Sequence, residues 1–142
     1  MNEERRSVEL IADDGSILSG EFLIRDEVAG QPDRVELTLA WAGRAVTAMA
    51  DDCFDAMILI RHELDVIGLS PLCWGASLQV YPSDSSRGQG VGDTAYKLKL
   101  GQFVRAADRV NIFDSGPGLV AATVAEQEDF SRAWFDSLAD LA

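Results

Sequence analysis

The chain has 142 residues, 47% apolar and 25% charged, with 24 acids against 12 bases for a formal net charge of −12. That length predicts one domain, 1–142, with a hydrophobic core of its own, and no apolar run reaches the roughly 20 residues needed to cross a bilayer. The acidic balance argues against nucleic acid and anionic membranes as partners, because both repel a negative surface.

The opening Met1-Asn2-Glu3-Glu4-Arg5-Arg6 is charged and no long apolar segment follows it, so no secretory signal is expected. Cys53 and Cys73 lie too far apart for a CxxC pair and read as free thiols of a reducing cytoplasm. Ten arginines against two lysines fit a GC-rich bacterial genome.

Along the chain, Val8, Leu10 and Ala12 alternate in 7–12. Asp13-Asp14-Gly15 is a hairpin signal, and Leu18, Gly20, Phe22 and Ile24 resume on a second strand. Gly30 and Pro32 mark 25–33 as a loop. Val35, Leu37, Leu39 and Trp41 predict a third strand, Ala42-Gly43 a turn, and 45–50 a fourth strand. This half reads as an antiparallel meander with one apolar face. Asp51-Asp52 can cap a helix and suits the positive end of its dipole. Phe54, Met57, Ile58, Arg61, Leu64 and Ile67 trace its buried face, with Cys53 and Ile60 widening the arc. Gly68 is placed to end it, and Pro71 forbids resumption. The helix is predicted to lie across the sheet.

In the stretch 72–100, Leu72, Trp74, Ala76, Leu78 and Val80 alternate with Cys73, Gly75, Ser77, Gln79 and Tyr81. That period predicts a half-buried strand ending at Pro82. Residues 83–94 are polar and glycine-rich. Tyr96, Leu98 and Leu100 then oppose Lys97 and Lys99 on an antiparallel return strand. A loop this long between paired strands is more often functional or disordered than filler. A short strand over 109–113 and a loop over 114–118 follow. Thr123 with Glu126 makes a capping box for a last helix, on which Phe130, Trp134, Leu138 and Leu141 are spaced for burial. The fold class is α+β: an antiparallel sheet, with an N-terminal four-strand meander and two or three later strands, packed by two helices.

Charge is unevenly spread. Residues 1–71 carry fifteen acids and six bases, whereas 87–109 carry five bases and two acids. The cationic island and the loop single out Tyr81, Ser83, Asp84, Arg87, Gly88, Gly90, Gly92, Asp93, Tyr96 and Lys97 as candidate ligand- or partner-binding residues. Backbone N–H groups of Gly88-Gln89-Gly90-Val91-Gly92 could cradle an anion beside Arg87. The spacing is GxGxG, however, not the dinucleotide fingerprint, and Asp93 stands where a Walker loop needs lysine. His62 is the one histidine, and no spacing pairs it with Cys73. The serines at 83, 85 and 86 lack a nucleophile elbow. The acidic pairs read as a turn, a cap and a solvated helix face. Trp41, Trp74 and Trp134 read as core, and Tyr81, Tyr96 and Phe113 as recognition aromatics. The sequence therefore predicts no catalytic group, cofactor or metal.

The preferred expectation is a non-enzymatic acidic protein-binding module, an immunity-type or neutralising protein for a basic partner, steered by opposite charge. The alternative is a small anion- or phosphate-ligand-binding protein or enzyme using the loop 83–94. A homo-oligomer joined at a sheet edge is a third reading.

Overall fold

The alternating first half folds as its pattern requires. A computed structural model, which describes residues 2–26, 30, 34–83 and 92–141, arranges β1 (Asn2–Ala12), β2 (Ile17–Asp26), β3 (Val35–Trp41) and β4 (Arg44–Ala50) as an antiparallel meander. β5 (Leu69–Pro71) joins the far side of β1, giving the order β4-β3-β2-β1-β5. Val8, Leu10, Phe22, Ile24, Leu37 and Leu39 turn inward to the core. At the β3–β4 turn, Ala42 and Gly43 both have positive φ, 46° and 76°, the shape whose twist suits a two-residue hairpin.

β1 starts at Asn2 rather than at residue 7. Asn2 to Arg6 are polar, so no apolar pattern announces them. They are held by pairing with residues 22–26 and by the ion pairs Arg5–Glu21 at 2.8 Å and Arg25–Glu3 at 2.9 Å.

Helix α1 (Cys53–Val66) is capped by Asp52, whose carboxylate accepts from the Asp55 N–H at 2.8 Å. Gly68, at φ 73°, turns the chain out of it. The helix lies against β3, β4 and β5 and buries Phe54, Met57, Ile60, Arg61 and Leu64. Ile58 is only half-buried and Ile67 is exposed, because the inward stripe runs through Cys53, Ala56 and Ile60 instead.

The strand expected over 72–80 is largely replaced. Only Val80–Tyr81 (β6) is strand, and Trp74–Ala76 forms a 3-10 turn. Residues 73–77 are all buried, so alternation there separates no wet face from a dry one. Cys73, which the alternation puts on the polar side, is wholly buried with its Sγ 3.9 Å from Met57 Sδ. Gly75 sits where a Cβ would lie 2.7 Å from Met57 Sδ and 2.9 Å from Ile112 Cβ. The turn is pinned by Trp74 N–H to Asp114 O at 2.8 Å and Gly75 N–H to Ile112 O at 2.9 Å.

The chain on the two sides of the glycine-rich loop does pair. β6, β7 (Thr94–Lys97) and β8 (Arg109–Asn111) make a three-stranded antiparallel sheet, with Tyr81 opposite Tyr96 and Val80 opposite Lys97. The return strand stops at Lys97, and Leu100 is exposed in a turn that Gly101 completes at φ 76°. One buried cluster runs from the five-stranded sheet through Cys73, Trp74, Val80, Ala95, Ile112 and Phe113.

Helix α2 (Val124–Ser137) opens with the expected reciprocal cap: Glu126 N–H donates to Thr123 Oγ1 at 3.1 Å, and Thr123 N–H to Glu126 Oε1 at 2.9 Å. Burial fades after its first turn. Val124 and Gln127 are buried, whereas Phe130, Trp134 and Leu138 are half-exposed and Leu141 is exposed. What fastens the helix is polar. Arg61, 2% exposed, donates to Gln127 Oε1 at 2.7 Å, Gly75 O at 3.1 Å and Ala122 O at 2.9 Å. Gln127 Nε2 reaches the carbonyls of Gly75, Ser77 and Val80 at 3.0, 3.0 and 2.8 Å. Among the described residues no carboxylate pairs with Arg61, so two backbone carbonyls and the Gln127 side-chain amide supply the acceptors its charge requires. Burial pushes its pKa below the ordinary arginine value.

Candidate functional site

The three-stranded sheet and α2 leave a groove of about 580 Å³ between them. Tyr81 and Tyr96 face each other across the β6–β7 pair, and Trp134, Phe135 and Leu138 close the opposite wall from the end of α2. Ser83, Arg132 and Asp136 add polar groups to the lining. Tyr81 is seated by an edge-to-face contact with Phe54, the ring centroids 5.3 Å apart. Trp134 donates its indole N–H to Gln102 O at 2.8 Å, and Ser137 Oγ accepts from Gly101 N–H at 2.7 Å. These two bonds tie the turn after β7 to α2 and fix the width of the groove.

The sequence-predicted site residues divide. Tyr81, Ser83 and Tyr96 converge in the groove. Gly92 lies away from it against the cap of α1, at φ 71°, where a Cβ would meet Asp52 Cβ at 2.4 Å. Asp93 is occupied by β8: its carboxylate accepts from Asn111 Nδ2 at 3.1 Å and its carbonyl from Ile112 N–H at 2.9 Å. Lys97 places its ammonium 4.5 Å from the Trp74 ring centroid, a cation–π contact. Asp84, Arg87, Gly88 and Gly90 lie outside the described residues.

Two aromatic readings change. Phe113, read as a recognition residue, is 4% exposed and packs edge-on against Phe22 at 5.2 Å, because β8 ends at Asn111 and the chain then turns inward. Trp134, read as core, is half-exposed on the groove wall. Trp41 and Trp74 are buried as expected.

A second surface was not legible as a unit. The β1–β2 turn meets the end of α1: Asp13 N–H donates to Gly68 O at 3.0 Å, and Gly68 N–H to Asp65 O at 3.3 Å. This brings Asp13, Asp14 and Asp65 to one end of the molecule, all exposed, beside Val66 at 85% and Ile67 at 42% exposure. Among the described residues no cation pairs with these three acids. The last turn of α1, the negative end of its dipole, holds no basic residue. Ser16 donates to Asp14 Oδ1 from both hydroxyl and backbone, at 2.6 and 2.9 Å, which holds that carboxyl below its usual range. The signal in the sequence was the acidity of the first half and an α1 terminus without a lysine or arginine.

The thiols are withdrawn from chemistry. Cys53 and Cys73 are buried and unbridged, and burial pushes the Cys73 thiol up to about 12. His62 stands exposed on α1, so the two do not form a nucleophile–base pair. Among the described residues no three potential metal ligands cluster. No family model matches this chain, and no curated protein matches it.

Proposed function

We propose that this chain is a non-enzymatic acidic protein-binding module of the immunity or neutralising type, which captures a basic partner at the end formed by the β1–β2 turn and the α1 terminus. The observation that carries the reading is the set of uncompensated acids there, beside exposed Val66 and Ile67. A carboxylate at the negative end of a helix opposes folding, by about 0.3–1 kcal/mol in exposed settings. Cations of a partner would relieve that repulsion, and an apolar centre with a charged surround is how many interfaces are built. The test is capture of purified basic proteins at low salt, comparing the native chain with Asp13→Asn/Asp14→Asn/Asp65→Asn. Association should slow at least several-fold in the variant and lose much of its salt dependence. Failure of the native chain to hold any basic protein at low salt would overturn the reading.

A second reading, a small anion- or phosphate-ligand protein using the loop 83–94, is favoured by the groove that Tyr81, Ser83 and Tyr96 line. Its volume falls within the roughly 300–1,000 Å³ typical of small-molecule sites. Inorganic phosphate and nucleotides should then raise the melting temperature of the native chain and not of Arg87→Ala.

A further inference from the structure

The two edges of the five-stranded sheet are finished differently. β5 closes one edge with three residues and ends in Pro71, which has no N–H to offer. β4 forms the other edge and pairs with β3 alone. It is seven residues long, Arg44-Ala-Val-Thr-Ala-Met-Ala50, with no proline and a charge at its first position only. Natural proteins blunt such an edge with charge, proline, a bulge or a cover.

Which backbone groups are free follows from the turn. A two-residue hairpin with positive φ at both Ala42 and Gly43 makes Trp41 and Arg44 a hydrogen-bonded pair. Alternation along the ladder then directs Val46, Ala48 and Ala50 toward β3, and points the N–H and C=O groups of Ala45, Thr47 and Met49 away from the sheet. Among the described residues this outward row receives one bond, from Arg34 Nη2 to Met49 O at 3.1 Å. That carbonyl retains a second lone pair.

We infer that β4 pairs antiparallel with β4 of a second copy about a twofold axis at Thr47, joining two sheets into one. The register is self-complementary. Thr47 meets Thr47 of the other copy, and Ala45 meets Met49, so every outward N–H finds an outward carbonyl. The side chains brought together are small or flexible and carry no like charges. The same register carries Arg44 of each copy to the strand end that bears Asp51 of the other. Asp51 is 84% exposed and only loosely engaged by Arg34, at 3.7 Å. A twofold contact of this kind closes on itself and limits assembly to a dimer.

Sedimentation velocity of the full chain over a concentration series tests this. The native chain should show a species of twice 15.4 kDa that grows with concentration. Thr47→Pro removes an outward donor without touching the β3 ladder and should abolish the dimer. Thr47→Lys, which sets like charges face to face on the axis, should abolish it too while the circular dichroism stays native. Arg44→Asp should weaken dimerisation, and Arg44→Asp with Asp51→Arg should restore it. A native chain that remains monomeric at the highest soluble concentration would overturn the inference. So would a dimer that survives both a folded Thr47→Pro and a folded Thr47→Lys, or a chain that pairs only with an added extended peptide.

Discussion

Arg61 illustrates how spacing can place a single side chain while leaving its partners unread. Its helical spacing places it on the apolar face of α1, and it is buried there. What spacing does not convey is that the guanidinium is satisfied by Gln127, 66 residues later, and by the carbonyls of Gly75 and Ala122. Breaking such a buried charge network typically costs about 3–5 kcal/mol, because polar groups are left unpaired where water cannot reach. Gln127→Leu should therefore lower the urea midpoint strongly, by a free energy of about that size. Gln127→Glu is the sharper comparison. It gives Arg61 a carboxylate but removes the donor that serves Gly75, Ser77 and Val80, and sets an oxygen against their carbonyls. It is expected to destabilise as well, and equal or greater stability than native in urea titration would refute this account of the contact.

At the scale of elements, the meander and α1 were legible because each has a one-sided environment. Alternation reports a wet face and a dry face, and Asp52 and Gly68 mark the ends of α1 by local backbone chemistry. The segment after β5 was not legible for the opposite reason. It is buried on every side, so its alternating letters carry no information about direction, and a 3-10 turn centred on Gly75 replaces the strand. A different limit applied to α2: its cap was readable from Thr123 and Glu126, but spacing cannot tell a core from a groove, and Trp134 and Leu138 line a groove. The β3–β4 hairpin offers a direct test of local reasoning. Ala42 adopts φ 46°, a region where alanine is strained and asparagine or glycine is at ease. Ala42→Asn should stabilise the fold by roughly 0.5–1 kcal/mol, seen as a rise in melting temperature of a few degrees. No rise, with the fold otherwise native, would show that the turn is not strained.

For the molecule as a whole, charge is the dominant property that composition made visible and whose arrangement composition could not supply. Ion pairs such as Arg5–Glu21 and Arg25–Glu36 balance the outer face of the sheet, whereas the end bearing Asp13, Asp14 and Asp65 has no paired cation among the described residues. The groove was half legible: Tyr81 and Tyr96 were named from their position around the loop, but Trp134 comes from a distant helix that only the tertiary fold brings near. A net charge of −12 makes the compact state repel itself. Melting temperature should accordingly rise as sodium chloride is raised from low to physiological strength, and the gain should shrink in Asp13→Asn/Asp14→Asn/Asp65→Asn. A flat salt response in the native chain would mean that its acids do not strain the fold.

The bond from Gln127 back to Gly75, Ser77 and Val80 also sets an order of events during synthesis. A nascent chain can complete the meander and α1 as they leave the ribosome, but Arg61 then waits with its charge unanswered until the first turn of α2 has emerged. Any product cut short before residue 127 is left with that vacancy at its centre, a defect that quality-control proteases are well placed to detect.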